Sequence, residues 1–478
     1  MEKVFKKLKS SRLGKYIYEL ILVLLAISYF SYFTIASFFR YNNFYTGRFD
    51  LGNMAQTVWN TLHGNFFMLT DPNGTREVSR LAFHADFILV LFAPLYLLWE
   101  DPRVLLLVQT EVLAIGGIFV YLLSNQILKN KNISLVLALC FYLNPAVNFT
   151  NLFDFHPVTL ATTFLIAVFY FISKKQFKFA LLFLILAGIT KEQVWIITTL
   201  IGLYLTFIHK QKLLGITIFT ISSLIFYFLI WIAIPNSLGG EHFALEFYSD
   251  FGSSPTDVIK SVLTHPIQTV QALLLPDRID YIKQLFMPLG YLSFLAPVFL
   301  IFAAPDLGIN LLSNFPQMHQ IYYQYSATVT PFIFLSVIYS VKFIKSKTGI
   351  PYGAFALFLL ILTTISAYDY GPLPFSKSPN MDMFTKPLAN KDTVENYLRN
   401  IPSSERISAS NNLGSHLSHR RQIYVVPKGI DKADRVLLLI RNSSTQEEKK
   451  ILLKMELDPN FYKVHKESNF YVFKRFNF

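Results

Sequence analysis

The chain is poor in charge and almost without cysteine. Asp, Glu, Lys and Arg make up 15% of its 478 residues, against about 25% in an ordinary soluble domain, which is too few to coat a water-facing surface. The single cysteine, Cys140, excludes an intramolecular disulfide and says nothing of the compartment. There is no P-loop, glycine-rich nucleotide fingerprint, paired-cysteine zinc pattern or nucleophile elbow. Nucleotide-driven transport and serine hydrolysis therefore have no positive sign. No internal repeat or low-complexity tract stands out.

What the sequence has instead is apolar bulk. Hydrophobic residues make up 53% and aromatic residues 16%, with 47 Phe and 26 Tyr, and the mean hydropathy is +0.40. Three polar stretches lie at 40–102, 235–289 and from 369 onward. Without these and the basic N-terminal tail, roughly 235 residues remain, enough for about 11 or 12 helices at about 20 residues per span. This excludes a soluble enzyme, a disordered chain and a β-barrel, and predicts an α-helical polytopic membrane protein with about 11 transmembrane helices. The net charge of +13 does not point to nucleic acid, because many of the basic residues sit in short clusters beside apolar runs.

Residues 1–15 carry six Lys or Arg, and an apolar run over 16–39 follows. That run exceeds a signal-peptide core of about 7–15 residues and ends in Ser37-Phe38-Phe39-Arg40, so it reads as an uncleaved first span. Lysine clusters at 129/131, 174/175/178, 210/212 and 342/345/347 define the cytoplasmic side of the plasma membrane, together with the N-terminus. Spans at 16–39, 132–149, 177–189, 211–234, 305–316 and 349–368 then run outward. Those at 103–127, 157–173, 193–208, 289–304 and 328–344 return. The segment 81–99, broken by Pro94, is left as an interfacial or re-entrant helix. Residues 1–368 thus form the membrane domain, with outer loops at 40–102 and 235–289, and 369–478 lie outside. In this tail β-rich runs at 406–409, 422–426, 435–440, 461–464 and 470–474 alternate with helical patterns near 391–400 and 445–457, which predicts a small extracytoplasmic α/β domain.

An ionisable residue near hydrocarbon raises a functional hypothesis by default, and here such residues gather at the outer face. Asp50 precedes an amphipathic helix carrying Gln56, so it can be an N-cap, a site residue or both. In Phe83-His84-Ala85-Asp86, residues two apart diverge on a helix; His84 is preferred over Asp86 unless the segment is unwound. Pro157 biases His156 toward extended backbone and suits the first turn of the next span. In an extended stretch Asp154 and His156 share a face; a structural Asp–His pair is the bland alternative. Lys191-Glu192 sits at a turn between two short spans, as a site element or as a buried ion pair. Glu111, alone in its span, is assigned to helix packing. Tyr325 belongs to an aromatic stretch, 315–325, that can equally be an interfacial belt. Arg420, in Ser415-His416-Leu417-Ser418-His419-Arg420-Arg421, suits an anionic group or a solvated basic turn.

Taken together, RFDLGNMAQTVWN after the first span, then FHADF, DFHP, TKE and ISASNNLGSHLSHRRQIYVVP, resemble the GT-C superfamily of integral membrane glycosyltransferases. More narrowly, they resemble its predicted-membrane-protein branch of unknown function. The resemblance implies transfer of a sugar from a polyprenyl-phosphate carrier to a glycan, lipid or protein acceptor at the outer face of the membrane, among membrane lipids. It places Asp50 where GT-C enzymes carry an essential acid in the first outer loop, with Asp154 and His156 beside it as catalytic candidates. His84, Asp86, Lys191, Glu192, Gln56, Tyr325 and Arg420 are then candidate substrate contacts. The Asp-x-Asp signature of several GT-C loops is here Asp154-Phe155-His156. No cofactor is certain, and a divalent metal held by Asp154, His156 and His84 stays open. The rivals are a transporter or flippase for lipid-linked saccharides, or a non-catalytic binder of them. Transporter sites commonly lie near the bilayer midplane between paired repeats, whereas these residues gather at one face.

Overall fold

The computed structural model describes residues 16–240, 243–441 and 444–476. The first apolar run forms helix α1, Ile17–Asn42. The loop after it contains α2, Asn53–Leu62, and a two-stranded antiparallel hairpin of β1, Met68–Thr70, and β2, Glu77–Ser79. Residues 81–99 do not cross: a short helix, Ile88–Phe92, passes into a 3-10 segment, Ala93–Leu97, at Pro94.

The bundle continues with α3, Arg103–Leu128, and with α4, Lys131–Leu143, which bends by 44° into α5, Pro145–Leu152. Asn144 causes the break: it is extended, and its side chain caps α5, whose first residue is Pro145. Then follow α6, Ala161–Ser173, α7, Phe177–Gly188, α8, Val194–Phe207, and α9, Lys212–Phe228, which runs on as a helical segment to Leu238. The last members are α10, Ala304–Leu312, α11, Thr330–Thr348, and α12, Tyr352–Tyr370.

Among the described residues four helices are long and apolar enough to cross a membrane, or five if α4 and α5 form one bent span. Most other expected spans are helices too short for a full crossing alone. The segment 289–304 departs furthest from expectation. It breaks into 3-10 turns, Leu292–Leu295 and Pro297–Phe302, because Gly290 and Tyr291 take left-handed backbone and Pro297 lacks the amide a helix would use. Glu111, assigned to packing, is exposed on α3.

The tail forms the expected α/β domain. Its sheet comprises β3, Ile407–Ala409, β4, Ile423–Val425, β5, Arg435–Leu439, β6, Phe461–Glu467, and β7, Phe470–Arg475, in the order β4-β3-β5-β7-β6. The pairs β3–β4 and β3–β5 are parallel; β5–β7 and β6–β7 are antiparallel. Both faces are covered, one by a cluster with Val394, Leu398 and Leu437, the other by one with Tyr424, Ile451 and Phe473. Phe44, from the loop after α1, belongs to the first of these clusters. The loop after α1 and this domain are therefore packed together.

Candidate active site

A cavity of about 200 Å³ is lined by residues from six parts of the chain. The turn before α2 supplies Asp50, the segment after β2 supplies Arg80, His84 and Asp86, and the loop before α6 supplies His156. The α7–α8 turn brings Lys191, and a 3-10 turn, Gln324–Ser326, brings Tyr325. Asn73, at the tip of the β1–β2 hairpin, and Phe49 stand on its walls.

Asp50 lies in a π-helical turn, Arg48–Gly52. It does not cap α2: the cap position is Gly52, without a side-chain bond. The Asp50 side chain, one-third exposed, faces Nε2 of His156 across 3.2 Å. Nδ1 of His156 lies 3.2 Å from the Phe153 carbonyl, which can only accept. Donation to that carbonyl calls for a proton on Nδ1. As Pro157 predicts, His156 is extended and Pro157 starts the next helical turn.

Asp154 does not share the face of His156. Its backbone is left-handed, with φ of 40°, so the two-residue alternation of a strand is lost. Its carboxylate instead turns inward, accepting from the Gly47 amide at 2.9 Å and from Arg40 at 3.4 Å. Phe153 stacks on the His156 ring at 5.4 Å. Burial pushes the Asp154 carboxyl up to about 6, against the opposing pull of Arg40.

The segment holding His84 and Asp86 is non-helical between Phe83 and Asp86, so both reach the cavity. Asp86 is held in a two-pronged ion pair by Arg80, with contacts of 2.7–3.1 Å. His84 presents Nδ1 to Glu192 Oε1 at 3.0 Å, while Glu192 Oε2 accepts the Ala85 amide at 3.0 Å. Glu192 thus stands behind the wall and sets the orientation of the ring. Burial lowers the basicity of His84 more than the Glu192 carboxylate raises it. The Lys191 ammonium lies 5.9 Å from the centre of the Tyr325 ring.

Besides Glu192, two expected contacts lie outside the cavity. Gln56 is fully buried and donates to Thr70 and to the carbonyls of Arg420 and Arg421, each at 3.0 Å, while accepting from Arg48. Arg420 is buried too, its guanidinium donating to the carbonyls of Leu417, Pro402 and Glu405. Neither a basic turn open to water nor an anion site describes it. The aromatic stretch likewise turns inward, with Tyr322 and Tyr323 edge-on to Phe153. Among the described residues no three His, Cys, Asp or Glu side chains are grouped to hold a metal ion. Asp154 faces Gly47 and Arg40, so the set Asp154, His156 and His84 is not assembled.

Sequence reasoning missed Arg80, Arg40, Gln109 and Asn411. Gln109 of α3 ties the DFHP loop down by donating to the Asp154 carbonyl at 2.8 Å and accepting the His156 amide at 3.0 Å. A glutamine inside an apolar span was the available signal.

No curated protein matches the chain in sequence. Among solved structures it is similar to ArnT from Cupriavidus metallidurans, solved bound to undecaprenyl phosphate, with TM-score 0.55 and 10% identity over 96% of this chain and 98% of that one. The mycobacterial arabinofuranosyltransferase AftD is similar at TM-score 0.49 and 12% identity, over 95% of this chain and 40% of that one. The apo oligosaccharyltransferase of Archaeoglobus fulgidus gives 0.42 and 13%, over 89% and 66%. The likeness to ArnT shows a shared fold over nearly the whole of both chains. Residues 40–471 match the family described as predicted membrane protein (DUF2079), and the chain belongs to that family.

Proposed function

We propose that this protein is a membrane glycosyltransferase that moves a sugar from a polyprenyl-phosphate donor to a hydroxyl acceptor at the outer face of the plasma membrane. The observation that carries the reading is the single cavity joining the Asp50–His156 pair to the Lys191 ammonium and the Arg80–Asp86 ion pair. The likeness in fold to a protein solved with undecaprenyl phosphate supports the choice of carrier.

In this reading the acceptor oxygen attacks the anomeric carbon from the side opposite the phosphate. The bond between that carbon and the phosphate oxygen breaks, and the electron pair stays on the phosphate. The hydroxyl proton passes to the Asp50 carboxylate, which His156 holds in place. Lys191 and its neighbours stabilise charge developing on the departing phosphate, and the anomeric configuration inverts. The cytoplasmic N-terminus and the extracytoplasmic tail belong to the same proposal, on the strength of the lysine clusters.

The test is to incubate the purified full-length protein with a panel of labelled polyprenyl-phosphate monosaccharides and measure release of free carrier. Asp50→Asn should slow release by about 10²–10⁴-fold, the usual worth of a positioned base. Donors left intact across the panel by the unmodified protein would overturn the reading. Orientation is tested separately, by an impermeant maleimide on cells bearing Asn73→Cys or Lys347→Cys, with buried Cys140 as a quiet background. Labelling of the second and not the first would reverse the topology.

A further inference from the structure

The turn that carries Asp50 is not held by the membrane domain alone. Oδ1 of Asn411, in a 3-10 turn Asn411–Leu413 of the α/β domain, accepts the amide of Arg48 at 2.8 Å and that of Phe49 at 3.3 Å. These are the two residues before Asp50. The next residue in that domain turn, Gly414, lies against the same place: a Cβ on it would stand 2.1 Å from Arg48 Cβ. Gly414 has ordinary helical backbone (φ −65°, ψ −35°). Glycine is therefore needed there for the close approach and not for the conformation.

The contact continues along the loop. Ser415 and Thr46 share a hydroxyl hydrogen bond of 2.7 Å. The His416 ring stacks between Tyr41 and Phe44 at 3.9 and 4.1 Å, and Arg441 donates to the Asn43 carbonyl. One face of the Asp50 turn is thus built from the tail of the chain. On the opposite flank, Asp154 holds the Gly47 amide.

We propose that Asn411 and Gly414 are positioning residues for Asp50, so that the extracytoplasmic domain completes the site by setting where the base stands. The two parts of the chain then work as one catalytic unit. The inference rests on the glycosyltransferase reading for its effect on rate, but the contact itself can be tested without substrate.

Three variants of the full chain separate the possibilities. Asn411→Leu keeps the size and removes the acceptor. Asn411→Asp keeps an acceptor oxygen. Gly414→Ala leaves Asn411 intact and pushes the two surfaces apart. Amide exchange is read on the peptide covering 44–54, with the strand Arg435–Leu439 as a check that the domain is folded. Arg48 and Phe49 should exchange at least ~10-fold faster in Asn411→Leu and Gly414→Ala, as for a lost hydrogen bond, and at nearly the original rate in Asn411→Asp.

With a donor taken from the panel, kcat should fall ~10–100-fold in the first two variants, as for a misplaced catalytic group, with KM little changed and kcat recovered in Asn411→Asp. Unchanged exchange at these amides would overturn the contact. Faster exchange with full kcat would overturn the positioning role. If the unmodified protein consumes no donor, the exchange result still decides the contact, and it is the transferase reading that falls.

Discussion

Asp50 and Asp154 are carboxylates of one hydrogen-bonded region with opposite surroundings. Asp50 keeps 33% of its side-chain surface, lines the cavity and faces an imidazole; Asp154 keeps 4%, lies behind the wall, and accepts from a guanidinium and a backbone amide. The same division runs through the other candidates. His84, Asp86, His156, Lys191 and Tyr325 stand on the wall, whereas Glu192, Gln56 and Arg420 are buried behind it and bound to protein groups. Residue type and motif do not distinguish the two sets. What distinguishes them is the direction in which tertiary packing turns each side chain, toward the cavity or into the protein.

The sharpest way to break this comparison is to remove each carboxylate in turn and measure unfolding. Asp154→Ala leaves the Arg40 guanidinium and the Gly47 amide without their acceptor, and should cost about 3–5 kcal/mol, the range for a broken buried pair. Asp50→Ala should cost at most about 1 kcal/mol, as expected for a partly exposed pair, while abolishing carrier release. Equal losses of stability would show that the two are not different in kind.

A smaller effect tests Glu192. In Glu192→Gln one of the two donors, the His84 Nδ1–H or the Ala85 amide, meets a nitrogen where it had an oxygen. Initial rates should then fall ~10–100-fold, as for a lost hydrogen bond to a charged group, with the protein still folded. Unaltered rates would place Glu192 outside the working site.

A further effect is one of pH. Because the folded protein raises the Asp154 carboxyl from 3.8 to about 6, the folded state binds this proton more tightly than the unfolded state. Its contribution is fully present below 3.8 and is lost as pH rises through about 6. Melting temperature between these limits should therefore fall less with rising pH in Asp154→Asn than in the unmodified protein. Parallel curves would mean that Asp154 is not held in a desolvated place.

Much of the architecture was legible in the chain before folding. The helices α1 and α3, the strands β3 to β7 and the two helices Lys391–Arg399 and Gln446–Leu457 fall within a few residues of expectation. Each announces itself through local periodicity and the residues that end it. The segment 289–304 was misread because apolar content was weighed above Gly290 and Pro297, and local backbone chemistry prevailed there.

The lining of the cavity was legible only in part. Asp50, His84, His156 and Lys191 stand out in sequence because charge is costly beside hydrocarbon. Arg80 and Asn411 do not, being ordinary polar residues in polar stretches. Asp154 was placed on the wrong side because spacing assumes regular backbone, and one left-handed residue removes that regularity.

The sequence by itself therefore determined a helical membrane domain, a mixed α/β tail and a set of polar residues gathered toward one end. Periodicity, span length and the cost of buried charge all act over a few residues at a time. Only the tertiary structure decided which of those residues face the cavity, and that a turn more than 350 positions away closes on the loop bearing Asp50. Such choices depend on long-range closure, where one amide or one missing Cβ sets the register between segments that carry no trace of each other.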